Sequence, residues 1–470
     1  MDAVIDFLNT IFWGYVLIYG LLAVGIYFTL RLGLLQIVHF PELFRTVRGS
    51  RAGDREGISP LQALTVSLAS RVGTGNLAGV AVALYLGGAG AIFWMWMVAL
   101  VGMATAYSES TLAQLYKTHG PEGMYRGGPA FYIAKGLGMP WMGSVFSVCL
   151  IISFGLVFNA VQANSIADAM NGAFGLPKIG VGAAVAALAG LIIFGGLRKI
   201  AAVAEIVVPF MAVAYLAVAL YVVIANIGAV PGVLGHIIGS AFGFEQAAGG
   251  VTGGVMAAMM NGIKRGLFSN EAGMGSAPNI AACATPDPHH PSSQGFVQAL
   301  GVFIDTILIC SATAVMILLS GVLAPGSGVT GTQLTQDALG AHIGAAGAPF
   351  VAIAIFFFAF TSIIGNYSYA ENAMVYLGFG RGFAVLRVAV LAMVVWGAYE
   401  SVATVFNAAD AAMGLMATIN LVAIVLLSGT VAKLTTDYFA QKKAGMEPVF
   451  HAADYPELGD QIDQSIWSRG

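Results

Sequence analysis

The chain has 470 residues, 58% of them hydrophobic and only 9% charged, where a soluble domain carries roughly 25% charged side chains. That composition excludes a soluble globular protein. The formal net charge of −3 leaves no basic footprint for nucleic acid. Cys149, Cys283 and Cys310, the three cysteines, show no CxxC spacing, which argues against a disulfide framework or a zinc site. Glycine, at 61 residues, is well above its usual ~7% share, as suits helices packed closely in lipid.

About eleven apolar stretches are long enough for a bilayer core, which needs ~20 residues per helix. They run near 11–31, 60–86, 89–116, 142–169, 178–196, 200–226, 248–284, 294–322, 347–378, 384–403 and 408–434. Continuous runs of this length favour helices over the alternating strands of a barrel. The expected class is an all-α polytopic membrane protein. The opening Met1-Asp2-Ala3-Val4-Ile5-Asp6 is acidic where a secretory leader is basic, so no cleaved leader is read.

Loop lysines and arginines orient the chain. After the first span come Arg45, Arg48, Arg51 and Arg55. With that loop inside, Lys117, Arg126, Lys135, Arg198, Lys199, Arg381, Lys433, Lys442 and Lys443 also fall inside, and Lys178 outside. The expectation is a cell (inner) membrane protein with the N-terminus outside and the C-terminus cytoplasmic. The polar stretch from about 435 to 470 reads as a solvated tail, and His289-His290 as a solvated turn.

Two apolar segments are interrupted at matching places. The second span contains Gly73-Thr74-Gly75-Asn76 and the seventh Gly273-Met274-Gly275-Ser276, 200 residues further on, followed by Pro278. Glycine costs ~1 kcal/mol in a helix interior, and proline removes a backbone donor. Non-helical backbone at membrane depth survives only where it is buried in protein or lines a cavity. Paired broken helices in two halves are a pointer to a transporter's binding site. Freed N–H groups there can hold a carboxylate, and freed carbonyls a small cation. Five spans precede the second break, counted from the first, and five run from it to the end. This divides the chain into an extra N-terminal helix and basic loop (1–58), a first five-helix repeat (59–230), a second, inverted one (231–436) and a cytoplasmic tail (437–470).

Polar groups surround these breaks. Thr361 and Ser362 sit in a very apolar run; either they bond back to the preceding turn or they offer hard oxygens to a monovalent cation. Asn159, Gln162, Asn164 and Asn366 either glue helices together or touch a ligand. Arg71, Glu109, Lys264, Arg265, Glu271, Asp305, Glu371, Glu400 and Asp410 are ionisable groups within apolar spans, and such groups are functional by default. Arg71 and Glu271 flank the two breaks and are expected to pair as one gate. Asp305 is either a proton or cation site or a partner for Arg71. Lys264 and Arg265 are expected to face an aqueous vestibule where the seventh span bends.

Three stretches carry a resemblance: Val72-Gly73-Thr74-Gly75-Asn76-Leu77-Ala78-Gly79-Val80, Lys264 through Pro278, and Gly301-Val302-Phe303-Ile304-Asp305-Thr306. They resemble signatures of the alanine or glycine:cation symporter family. The resemblance implies a leucine-transporter-like fold, with a 5+5 inverted repeat and one extra N-terminal helix. It implies sodium-coupled, in some members proton-coupled, uptake of small neutral amino acids, with no cofactor beyond the coupling ion. By that analogy Thr74, Gly75 and Asn76 hold the substrate carboxylate, while Gln162, Phe268 and Met274 line the pocket. Ala69, Val72, Thr361 and Ser362 form the sodium site. The family's usual tryptophan after the Thr-Ser pair is Asn366 here, which points to a larger or more polar substrate such as glutamine or serine. Three other classes fare worse. An intramembrane enzyme lacks an HExxH or GxSxG motif, paired breaks argue against a channel, and no sensor domain marks a receptor.

Overall fold

A computed structural model describes residues 2–48, 53–54, 56–120, 123–243, 253–324 and 326–468. Arg51, Arg55, the Arg381 side chain and the first residues of the expected seventh span lie outside the described residues. Among the described residues, seven helices are long and apolar enough to cross a bilayer: α1 (Ile5–Arg31), α4 (Gly90–Leu115), α5 (Pro140–Phe174), α7 (Gly196–Ala225), α11 (Pro291–Ser320), α15 (Val402–Leu426) and the run Gly331–Tyr376. The last divides into α12 (Gly331–Ile343) and α13 (Gly347–Tyr376). Between them lie α2 (Pro60–Arg71), α3 (Gly75–Gly87), α6 (Lys178–Ile193), α8 (Val230–Ala241), α9 (Gly253–Asn270), α10 (Pro278–Ala281) and α14 (Phe383–Tyr399), and α16 (Ser428–Lys443) follows α15. The chain is a polytopic helical membrane protein.

Local sequence explains where the helices start and stop. Ser59 opens α2 with a reciprocal cap: its hydroxyl accepts from Gln62 N, and Gln62 Oε1 accepts from Ser59 N, both at 3.1 Å, with Pro60 at the first helical position. Gly175, in the left-handed region at φ 66°, ends α5. Three helices contain π-helical turns, at Phe12–Val16, Ile151–Val157 and Phe303–Cys310, and a fourth such turn, Gly75–Gly79, opens α3.

α4 packs along α9 and α11, and α5 along α13 and α14, while α2 lies between α7 and α13. Both broken segments, residues 72–79 and 271–277, are thereby buried throughout.

Several expectations need correction. The last span starts at Val402, not 408, and ends at Leu426; α16 continues beyond it as a separate helix. α8 and α12 have no counterpart among the expected spans. The architecture also includes a short antiparallel hairpin, Thr118–His119 with Tyr125–Arg126. The tail is largely exposed, as expected, but it is pinned to the rest of the protein by a few buried residues. Phe450 and Trp467 are fully buried, with Ile462 and Ile466 nearly so. His289-His290 is not a solvated turn either: His290 is buried, and its Nδ1 caps α11 by accepting from Ser292 N at 3.1 Å.

Candidate functional site

The first break is short and tight. α2 ends at Arg71, Val72 leaves the helical region at ψ 83°, and the chain re-enters through the turn Gly75–Gly79. The freed donors go to neutral amides. Thr74 N donates to Gln162 Oε1 at 2.9 Å, while Gly73 N is shared between Asn76 Oδ1 at 3.0 Å and Arg71 O at 2.9 Å. The Thr74 hydroxyl is buried and has no partner. Glycine at 73 is required by proximity: a Cβ there would sit 2.3 Å from Ser362 Oγ and 2.7 Å from Gln162 Oε1. Gly75 lies against Phe268 in the same way, its Cβ position 3.1 Å from Cδ1 of that ring.

These contacts bring together most of the residues singled out in the sequence. Ser362 Oγ donates to Ala69 O at 2.8 Å and shares Phe358 O at 3.0 Å. Thr361 Oγ1 donates to Phe358 O at 2.9 Å, the local back-bond, and makes no hydrogen bond to Val72. Phe268 stacks on Phe158 with centroids 4.7 Å apart and leans on Phe406 at 5.5 Å. Asn366 accepts from Ser70 Oγ at 2.5 Å and donates to Asn159 Oδ1 at 3.0 Å. Asn164, by contrast, is helix glue: it donates to the carbonyls of Gly397 and Glu400. Met274 is buried, its N–H held by Glu271 O at 3.1 Å in the second break, with no polar tie to the first.

The second break is longer, from Glu271 to Ala277. Here the glycines are needed for conformation: Gly273 and Gly275 have φ 87° and 80°, values open mainly to glycine. Glu271 itself sits at φ 58°, a strained value for a side chain of its size. The freed donors meet a carboxylate. Glu109 on α4 accepts from Gly273 N at 3.2 Å, Gly275 N at 3.1 Å and Asn420 Nδ2 at 2.7 Å. The Asn420 carbonyl in turn accepts from Tyr132 OH.

The expected ion pair between Arg71 and Glu271 is absent among the described residues. Arg71 Nη1 donates instead to Gln298 O at 3.1 Å and lies over Gly301, which leaves it room. Glu271 accepts from Ser70 Oγ at 2.8 Å and Ser276 Oγ at 2.5 Å. Asp305 makes no salt bridge to Arg71 either. Its buried carboxylate accepts from Asn76 Nδ2 at 2.6 Å, Ser269 Oγ at 2.6 Å and Thr306 Oγ1 at 2.7 Å. Asp305 therefore ties the first break to the helix that leads into the second.

Lys264 and Arg265 both pair with Asp410 on α15. Lys264 Nζ lies 2.9 Å from Oδ2, and the Arg265 guanidinium grips both oxygens while it rests on the rings of Phe268 and Phe406. This triad borders a cavity of about 360 Å³ with Tyr85 and Asn261 on its wall, but the span does not bend there: α9 runs unbroken through both residues to Asn270, and Arg265 is buried rather than solvated. Glu109 and Asp410 stand out in the sequence as costly acids, but nothing in residue order places them. An acid in an apolar run was the available signal, and the partner is a matter of tertiary packing. No cluster of three or more His, Cys, Asp or Glu suited to a resident metal exists among the described residues.

The fold and this centre define a class: a helical membrane protein whose two glycine-broken helices meet at a buried polar core, the build of a secondary transporter. The profile of the sodium:alanine symporter family matches residues 1–452, and the chain belongs to that family, one of transporters and not of enzymes. It is 49% identical over 458 residues to the amino-acid carrier protein AlsT of Bacillus subtilis, covering 97% of this chain and 96% of that one. It is 47% identical over 453 residues to the probable sodium/glutamine symporter GlnT of the same organism, covering 96% and 93%. Against the sodium/alanine symporter AgcS of Methanococcus maripaludis the identity is 39% over 442 residues, covering 92% and 96%.

Proposed function

We propose that this protein is a sodium-coupled symporter that imports small neutral amino acids across the cell membrane by alternating access. The observation that carries the reading is the first break. Its Thr74 N–H is held by the neutral amide of Gln162, and the Thr74 hydroxyl waits unpartnered beside it. A substrate carboxylate displaces Gln162 from that donor, because a charge-assisted hydrogen bond is stronger than a neutral one. Gly75 and Asn76 add backbone donors, and Phe268 with Met274 bounds the side-chain end.

Sodium binds one turn earlier, between the carbonyls of Ala69 and Val72 and the hydroxyls of Thr361 and Ser362. The Ser362 hydroxyl, now donating to Ala69 O, rotates so that both oxygens face the ion. Ion and substrate sit on the two flanks of one interruption, so each raises the affinity for the other.

The family names support the substrate class, and one relative's name specifies glutamine. Asn366 takes the place of a bulky ring and leaves a polar wall, which suits glutamine or serine beside alanine. The eleven-span count, the 5+5 repeat and the orientation with the N-terminus outside belong to the same proposal. In that count α4 and α11 are equivalent, as are α5 and α13, and each packs on its equivalent, as a two-fold related pair would. Arg71, Glu271 and Asp305 then serve as gating residues through the helices they tie, and the Arg265–Asp410 pair closes the outer side above Phe268.

The test is uptake of radiolabelled alanine and glutamine into sealed proteoliposomes, with and without an inward sodium gradient. Sodium-driven accumulation of both is expected, with serine competing. Accumulation that follows a proton gradient with no need of sodium would replace the ion, and flux without accumulation would replace the symporter by a channel. Rejection of everything larger than alanine would remove the role of Asn366.

A further inference from the structure

The C-terminal residues fold back onto the end of the molecule where the two broken segments begin and finish. Ile58, just before α2, bridges Ala284, just after α10: Ile58 N donates to Cys283 O and Thr285 N to Ile58 O, both at 3.0 Å. Lys117, at the end of α4, covers this bridge and donates to Ala284 O at 2.9 Å. Its ammonium lies 4.1 Å from the centroid of the Tyr125 ring and 5.2 Å from that of Trp467. Trp467 is fully buried and donates through Nε1 to Leu115 O at 3.1 Å. Further along, Phe450 N donates to His289 O at 2.9 Å, and His119 Nε2 meets Ser465 Oγ at 3.0 Å. The tail thus crosses from α11 to α4 over the junction of both broken segments.

We infer that residues 446–467 form a strap that latches the inner gate, with Trp467 over Lys117 as its clasp. The inference rests on the alternating-access reading, in which Ile58 and Ala284 must part to let substrate reach the cytoplasm. Parting them requires Lys117 to give up Ala284 O, and the ring of Trp467 holds Lys117 in place. The clasp is poised to open, because burial pushes the Lys117 ammonium down to about 7 and exposure to water relieves that cost. The aromatic faces offset part of it while the strap is closed.

Cys283 is a native reporter, fully buried at the bridge. The experiment follows its alkylation by a membrane-impermeant maleimide in inside-out vesicles carrying the full-length protein, read by mass spectrometry of the Cys283 peptide. Initial sodium-driven alanine uptake is measured in right-side-out vesicles. Trp467→Phe keeps an aromatic ring at the clasp, removes the hydrogen bond to Leu115 O and leaves a small gap where the second indole ring lay, so it loosens the clasp with less loss of packing than Trp467→Ala. Labelling should rise about fivefold, the shift expected for one lost hydrogen bond, and uptake should rise with it. Trp467→Ala should raise both further. Wild-type labelling in Trp467→Phe would overturn the strap, as would faster labelling with no change in uptake, which means local fraying. Absence of sodium-driven uptake in the wild type would overturn the transport reading instead, while the labelling still reports on the clasp.

Discussion

The two interruptions share a spacing of glycines and differ in what answers their freed backbone. At the first, the Thr74 donor is held by a side-chain amide, and that of Gly73 is shared between the Asn76 amide and Arg71 O. At the second, those of Gly273 and Gly275 are held by the buried carboxylate of Glu109. A neutral amide can be exchanged for an incoming carboxylate; a built-in carboxylate already fills the place such a ligand would take. The glycines follow the same division. Those of the first break make room for Ser362, Gln162 and Phe268 without left-handed backbone, whereas those of the second are left-handed. One interruption is arranged to exchange partners, the other to hold a fixed bend on which the first can lean.

Methyl groups at one glycine of each break should separate the two roles, with the largest effects. Gly275→Ala places a Cβ 2.8 Å from both Phe146 and Pro129 and 2.9 Å from Asn420, at a left-handed residue. We expect a loss of about 3 kcal/mol or more, seen as aggregation or a collapsed Tm in detergent. Gly73→Ala pushes into Ser362 and Gln162 at an ordinary φ. Overpacking there costs about 1–3 kcal/mol, enough to lower substrate affinity about tenfold to a hundredfold, while the protein stays monodisperse. A Gly73→Ala protein that unfolds while Gly275→Ala transports would invert the comparison.

Exchanging the acceptors sharpens it at smaller cost. Glu109→Gln leaves two backbone donors to one carbonyl oxygen, and should lower stability by about 2 kcal/mol with KM for alanine nearly unchanged. Gln162→Glu puts a fixed charge where the proposed function places the substrate carboxylate. It should raise KM by more than about tenfold and leave the Tm close to wild type. Equal effects of the two substitutions on KM would mean that both breaks hold ligand.

Much of this was legible from residue order. Long apolar runs marked the spans, and Gly-x-Gly pairs 200 residues apart marked the interruptions, because few residues tolerate such backbone in lipid. Polar residues in apolar runs marked Gln162, Ser362, Asn366 and Asp305, all of which lie at the centre. Partners were not legible. Arg71 and Glu271 flank the breaks in sequence, yet Arg71 turns to Gln298 O and the space left by Gly301, a choice made by the packing of α11. Asp410 lies 145 residues from the arginine it pairs with. The tail's attachment was not legible because its composition is polar, and only a few spaced apolar residues, Phe450, Ile462, Ile466 and Trp467, are buried.

The smallest expected effect bears on the ion. Ser362 Oγ reaches Ala69 O across two helices, whereas Thr361 Oγ1 reaches only Phe358 O in its own preceding turn. If both hydroxyls serve sodium, the Thr361→Ala and Ser362→Ala pair should shift the sodium concentration for half-maximal uptake upward. A factor of about five per hydroxyl follows from a net bond worth ~1 kcal/mol. That factor is the upper bound for Thr361, which must first release its back-bond to Phe358 O, so Ser362→Ala alone should give the larger share of the shift. Because binding is reciprocal, the apparent alanine affinity at limiting sodium should fall by the same factor and recover at saturating sodium. The same double substitution should leave the second break untouched, so the Tm of the sodium-free protein should stay near wild type. An unchanged sodium titration would reduce both hydroxyls to helix back-bonds, and the ion would have to bind without α13.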